Sequence, residues 1–210
     1  MLKKFVRTMA YIGGIVTGFY LFASAPGIHK KKKWQHLTGW DYAHRGLYDN
    51  EHGIPENSMA AFRRAVDKGY GIELDVHLTA DNQLVVFHDD TLTRMCGMNK
   101  KISSFLYSDL MQLRLLGTEE GIPLFKDVLE LIDGKVPLII ELKVDGSNQN
   151  LLCPLVWQLL SRYKGDYCIE SFHPFVLQWF KRHEPQVVRG QLSCNFFKEN
   201  PHCDIVLFLM

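Results

Sequence analysis

The sequence carries no excess of either charge: 24 Lys+Arg stand against 23 Asp+Glu, a formal net charge of +1 over 210 residues. Nucleic-acid-binding domains show a marked basic excess, so no nucleic-acid partner is expected. Cysteine is sparse and unpatterned. The five thiols (Cys96, Cys153, Cys168, Cys194, Cys203) are odd in number and form neither a CxxC nor a Cys/His cluster at zinc spacing, which argues against a disulfide framework and a structural zinc site. A Gly-rich nucleotide loop is missing, as are internal repeats and any low-complexity stretch beyond the lysines at 30–33. What is abundant is apolar: 47% hydrophobic residues suffice for one sizeable core.

The chain divides in two. Residues 1–35 read as an N-terminal membrane anchor with a basic flank, and residues 36–210 as one catalytic domain. Residues 9–25 contain no charged side chain, with Lys3, Lys4 and Arg7 before them and four lysines after. That length is at the short end for a single-pass transmembrane helix, for which about 20 residues are usual. A cleavable signal peptide would use Ala23-Ser24-Ala25, but Pro26 follows directly. The lysine cluster and the unpaired cysteines lean towards a catalytic domain on the cytoplasmic side.

Beyond the lysines, strand and helix signals alternate. Strands are expected at 41–44, 71–78, 84–87, 137–142, 167–172 and 186–192. Helices are expected at 58–68, capped by Asn57-Ser58 and closed by Gly69, then at 125–132, 151–163 and 174–183. Residues 90–121 are less regular, with a short helix near 109–115. Strands alternating with helices imply right-handed βαβ units, so a TIM (β/α)8-type barrel with about six strands present is the leading architecture. A doubly wound open sheet is the alternative.

Polar residues fall where these strands end. Glu73 and Asp75 are two apart on one strand and share a face, and Glu141 and Lys143 repeat the arrangement. One such pair alone reads as a solvated edge. Glu141, however, ends an apolar strand, and converging carboxylates repel unless a cation compensates. An all-oxygen donor set suits Mg²⁺ or Ca²⁺. His44 and His88 follow short apolar strands, the position where barrel active sites are built. A lone histidine there is ordinarily a packing residue, whereas two beside carboxylates read as a general acid and base. Arg45 offers a planar fork of donors for a phosphate.

The segments Ala43-His44-Arg45-Gly46, Pro55-Glu56-Asn57-Ser58, Glu73-Leu74-Asp75-Val76-His77-Leu78-Thr79 with Asp81, Val85-Val86-Phe87-His88-Asp89 and Ile140-Glu141-Leu142-Lys143 resemble the glycerophosphodiester phosphodiesterase family in order and spacing. Glu170-Ser171-Phe172 resembles that family's Ser-Phe strand end. The resemblance implies a barrel with a small insertion after the third strand. It implies Glu73, Asp75 and Glu141 as metal ligands, His44 and His88 as the acid/base pair, Arg45 and Lys143 on the phosphate, and Glu56 as a further polar residue contacting metal or substrate. The implied reaction is metal-dependent hydrolysis of a glycerophosphodiester to sn-glycerol 3-phosphate and an alcohol, with no specific protein partner. A phospholipase D-like activity on lysophospholipids or sphingolipids is the first alternative. The second is an inactive truncated homologue, since similar proteins carry two more strands and the apolar end at 204–210 is expected to lie inside an element.

Overall fold

The computed structural model describes residues 34–193 and the strand Val206–Leu209, together with helical positions at 4, 7, 11, 13–15 and 18. The expected anchor at 9–25 lies largely outside the described residues. Among the described residues, no helix is long and apolar enough to cross a membrane.

One seven-stranded sheet organises the domain. Five strands run parallel in the order β1 (Tyr42–His44), β2 (Gly71–Leu78), β4 (Leu138–Leu142), β5 (Tyr167–Ser171), β6 (Val188–Ser193). They are joined through α1 (Met59–Lys68), α4 (Phe125–Ile132), α5 (Gln149–Leu160) and α6 (Pro174–His183). Two strands depart from this pattern. β3 (Leu84–Val86) folds back antiparallel on the C-terminal half of β2, and β7 (Val206–Leu209) pairs antiparallel with β6. Reading residues 84–87 as one more strand of the parallel series is therefore corrected. Only five residues separate β2 from β3, and a parallel return needs a crossover of a dozen or more.

The sheet curls into half of an α/β barrel. Its outer face settles the choice against a doubly wound sheet. Ala43, Ile72, Leu74, Val76, Leu138, Ile140, Leu142 and Ile169 share one parity of the pleat, and all join a single apolar cluster with Phe62, Val128, Val156 and Phe180 of the helices. A doubly wound sheet would put helices, and hence apolar side chains, on both faces. Here the opposite parity of β2 is Glu73, Asp75 and His77, every one of them buried.

Local signals account for the elements that frame the site. Ser58 Oγ accepts from the amide of Ala61 (3.2 Å) to start α1, and Gly69 at φ 72° ends it. Gly46 is required between β1 and α1: its φ is 79°, and a Cβ there would lie 2.9 Å from that of Ala61.

Residues 90–121 form an insertion with its own small core of Leu92, Met95, Ile102, Leu110 and Leu115, joined by Val85, Phe87 and Ile122 from the flanking chain. It contains two one-turn helices, α2 (Thr93–Cys96) and α3 (Tyr107–Leu110). The helix expected at 109–115 is not continuous, because Leu110 and Leu115 must both enter this core. On one α-helix they would point about 140° apart. The chain instead turns, with Leu116 at φ 51°.

Candidate active site

The pleat and the register of the parallel strands assemble the site. Asp75 lies opposite Glu141, and Glu141 opposite Glu170, so three adjacent strands present a row of carboxylates on the inner face. Glu73 adds a fourth, two residues back on β2 and opposite His44 of β1. Carboxylate oxygens of Glu73, Asp75 and Glu141 come within 4.8 Å of one another. Lys143 answers two of them: its Nζ lies 2.8 Å from Glu141 Oε1 and 3.0 Å from Asp75 Oδ1.

Crowding and burial drive these groups apart in acidity. Burial, the Asp75 charge, and lesser repulsion from Glu170 and Glu141 hold Glu73 well above the ordinary carboxylate range, against a hydrogen bond from the Arg45 amide. Burial pushes Glu141 up to about 7 despite Lys143. Burial, then Glu141 and Asp75, push Glu170 up to about 8. Burial acts on Asp75 as well, but Lys143, His88 and Asn57 outweigh it and hold it below its ordinary value. Lys143 is desolvated too, yet Asp75 and Glu141 raise it, so it stays charged.

Arg45 is placed by an unusual backbone. Its φ of 57° is uncommon for a non-glycine residue. This conformation turns its amide onto Glu73 Oε2 (2.9 Å), while its carbonyl accepts from the amide of Asn57. Asn57, also at positive φ, donates to Asp75 Oδ2 at 2.9 Å. Arg45 Nη1 meets Glu56 Oε1 at 2.8 Å, and Arg45 Nε is buried without a hydrogen-bond partner, 3.7 Å from Asp75 Oδ2. Glu56 stands apart from the carboxylate cluster. Both its oxygens are taken by guanidinium groups, of Arg45 and of Arg94.

The histidines arrive by different routes. His44 ends β1, its side chain 56% exposed and Nε2 3.8 Å from Glu73 Oε2. Partial burial and the neighbouring Arg45 lower its pKa, favouring the neutral ring. His88 follows β3, whose antiparallel return carries it back to the same mouth, with the Phe87 amide bonded to the Asp75 carbonyl. Its Nδ1 is 2.7 Å from Asp89 Oδ1, which leaves Nε2 free to act. His77, buried on the inner face of β2, places Nε2 3.3 Å from the His88 carbonyl.

The site thus gathers every residue expected from the sequence, with Glu56 behind Arg45. Five others were given no role at the site by the sequence: Glu170, Asp89, Asn57 and His77, although all four stand in the motif segments, and Arg94. Glu170 had a signal, since a charged residue inside the apolar run 167–171 deserves the same argument as Glu141. Arg94 had none, because it reaches Glu56 across 38 residues that include α1, β2 and β3.

The donor set fits a hard divalent cation. Three buried carboxylates supply oxygen only, with ligand atoms within 4.8 Å of one another, and the sole close partner of Asp75 Oδ1 is the Lys143 ammonium at 3.0 Å, so positive charge is already held where they converge.

Comparison with known proteins bears on the family. The lysophospholipase D GDPD1 of Rattus norvegicus is 34% identical over 173 residues, covering 76% of this chain and 52% of that protein. The glycerophosphodiester phosphodiesterase of Caldanaerobacter subterraneus subsp. tengcongensis is 34% identical over 166 residues, 71% of this chain and 65% of its own length. The chain thus spans about half to two thirds of the length of these relatives. Among solved structures, a phosphodiesterase of Oleispira antarctica in complex with the product sn-glycerol-3-phosphate superposes with a TM-score of 0.67 at 26% identity, over 75% of this chain and 66% of that one. A glycerophosphodiester phosphodiesterase from Parabacteroides distasonis gives 0.63 at 32% identity, over 71% and 63%. Residues 44–196, from the first histidine of the site to just beyond β6, match the glycerophosphoryl diester phosphodiesterase family, and the chain belongs to it.

Proposed function

We propose that this domain hydrolyses glycerophosphodiesters to sn-glycerol 3-phosphate and an alcohol, with Glu73, Asp75 and Glu141 holding Mg²⁺ or Ca²⁺. The observation that carries this reading is the convergence of three buried carboxylates, two cationic side chains and two histidines at one end of the parallel strands. The divalent cation supplies charge neutralisation at the phosphodiester. Arg45 and Lys143 bind and orient its oxygens. One of His44 and His88 takes the proton of the attacking hydroxyl, from the substrate glycerol or water, while the other gives a proton to the leaving alcohol. Where the glycerol hydroxyl attacks, the product of this step is a cyclic phosphodiester, which water then opens to sn-glycerol 3-phosphate with the two histidines in exchanged roles. Asp89 fixes the His88 ring through Nδ1.

Removal of divalent cations with EDTA should abolish hydrolysis of glycerophosphocholine, and Mg²⁺ or Ca²⁺ should restore it. Full activity in EDTA would end the metal reading. Each single His→Ala variant should lose most of the rate, and the double variant should be little worse than either, because both act on one displacement. A p-nitrophenyl leaving group, which needs no proton, should rescue only the variant lacking the general acid.

A second reading has its own support. The Rattus norvegicus relative is a lysophospholipase D, and Phe172 and Phe175 stand 40% and 55% exposed just beyond β5, an apolar rim suited to an acyl chain. Hydrolysis of a lysolipid or sphingolipid in preference to glycerophosphocholine would favour it. On either reading, the domain is tethered to a bilayer through residues 9–25 and faces the cytoplasm. Its uncharged run and basic flanks support this, and release of the protein from membranes by alkaline carbonate would refute it.

A further inference from the structure

Arg94 sits on α2, in the insertion, five residues beyond Asp89, and is neither one of the clustered carboxylates nor one of the groups assigned to substrate. Its side chain is nevertheless the most heavily bonded near the mouth. Nε donates to Asp89 Oδ2 at 2.8 Å and Nη2 to Asp89 Oδ1 at 3.0 Å. On its other edge, Nη2 donates to Glu56 Oε1 at 2.7 Å and Nη1 to Glu56 Oε2 at 2.9 Å. Nη1 also approaches the Met95 sulfur at 3.2 Å. All five N–H donors of the guanidinium are engaged, four of them in two bidentate pairs with carboxylates and the fifth on the Met95 sulfur. Each carboxylate it holds is holding a residue of the reaction: Asp89 Oδ1 is 2.7 Å from His88 Nδ1, and Glu56 Oε1 is 2.8 Å from Arg45 Nη1.

We propose that Arg94 is a positioning residue that locks the His88–Asp89 pair and the Glu56–Arg45 pair into one geometry, so that the proton-transfer group and the phosphate-binding group move as a unit. The backbone around it is anchored for the purpose, with Leu92 and Met95 buried in the insertion core on either side. Lysine cannot substitute, since its three tetrahedral donors cannot satisfy two carboxylates bidentately. The inference rests on the roles given above to His88 and Arg45.

The test uses the full chain and compares Arg94→Met, Arg94→Lys and Arg94→Ala with His88→Ala and Arg45→Ala. Arg94→Met should lower kcat and raise KM together, cutting kcat/KM by about ten- to a hundredfold. Arg94→Lys should recover little. Methylguanidinium added to Arg94→Ala should restore part of the rate, a response that loss of fold alone would not give. Adding Asp89→Asn to Arg94→Met should cost little more, because both break one chain of contacts. Normal kinetics in Arg94→Met, while His88→Ala and Arg45→Ala are inactive, would overturn this inference alone, as would a rate loss in Arg94→Ala with no recovery in methylguanidinium. Near-normal turnover in His88→Ala or Arg45→Ala would overturn the underlying reading and this inference with it.

Discussion

The mouth of the site has two walls, one crowded with negative charge and one charge-balanced. The strand wall, from β2, β4 and β5, presents Glu73, Asp75, Glu141 and Glu170, with Lys143 the one cation among its own residues and Arg45 reaching Asp75 from outside it at 3.7 Å. The insertion wall, built from Arg94 of the insertion together with the loop between β1 and α1 and the residues just after β3, sets Glu56 and Asp89 against Arg45 and Arg94, two charges against two. Acidity follows. Glu73, Glu141 and Glu170 are raised, whereas Glu56 and Asp89 are lowered in spite of burial, by Arg94 with Arg45 and by Arg94 with His88. The insertion wall is satisfied by its own groups and so is pre-organised. The strand wall carries uncompensated repulsion, which protons or a divalent cation relieve.

The largest expected effect breaks the strand wall. Glu73→Gln and Asp75→Asn should each reduce metal-stimulated hydrolysis by about a thousandfold. Their effects on the metal-free protein should differ in sign. Glu73 is held in an unfavourable site, so its amide relieves repulsion and the protein becomes no less stable. Asp75 is the partner of Lys143 and Asn57, so Asp75→Asn leaves buried donors poorly answered and should lower the thermal midpoint. Equal shifts in both variants would mean that the four carboxylates share charge evenly.

Next comes the pH dependence of the metal-free fold. A carboxyl whose folded pKa exceeds its unfolded value binds more protons folded than unfolded, so stability falls as pH rises between the two values. For Glu141 and Glu170 that window runs from the ordinary 4.5 to about 7 and about 8. The thermal midpoint should therefore fall between pH 5 and pH 8, by an amount worth on the order of a few kcal/mol, and added Mg²⁺ or Ca²⁺ should reverse the fall. Glu56 and Asp89 act in the opposite sense: their contribution is present above their ordinary values of 4.5 and 3.8 and is lost as pH drops below them. A midpoint flat from pH 5 to 8 would remove the contrast between the walls.

Glu170→Gln sharpens the same point on one residue. It should raise the metal-free midpoint at pH 8 by several degrees and change it little at pH 5, where Glu170 is already protonated. Differential scanning fluorimetry at the two pH values decides it.

How much of this was legible follows the same division. The strand wall could be read because its chemistry is local: alternation along residues 71–78 separates Ile72, Leu74 and Val76 from Glu73, Asp75 and His77, and a charged residue closing an apolar run marks Glu141. Strand direction was not read, because an apolar run of four residues looks alike in either sense. The short connection before Leu84 held the answer. The insertion wall was hidden for a different reason. Arg94 and Glu56 meet only after α1, β2 and β3 are in place, and nothing near Arg94 distinguishes its guanidinium from a solvated surface charge. His88 was expected at the mouth on the ground that it ended an equivalent parallel strand. It reaches the mouth on an antiparallel one.

The smallest expected effect concerns the contact that ties the insertion to the strand wall outside the site. Lys101 Nζ and Ser103 Oγ, both in the insertion, lie 2.7 and 2.6 Å from the two oxygens of Asp145, in the loop after β4. Both partners lower the Asp145 pKa. Lys101 is well exposed, so salt and water screen its half of the contact. Lys101→Ala should shift the thermal midpoint by less than about 2 °C and leave kcat within about twofold. Asp145→Ala removes the acceptor for the serine as well and should cost somewhat more in stability, still far less in rate than Arg94→Met. The reason is geometric. This clasp fixes the rim of the insertion, whereas the Arg94 guanidinium fixes the groups that would meet substrate. If Lys101→Ala instead slowed turnover as much as Arg94→Met, with the fold intact, the two walls would be coupled through their loops, and the ordered guanidinium between Asp89 and Glu56 would be a consequence of closure rather than its cause.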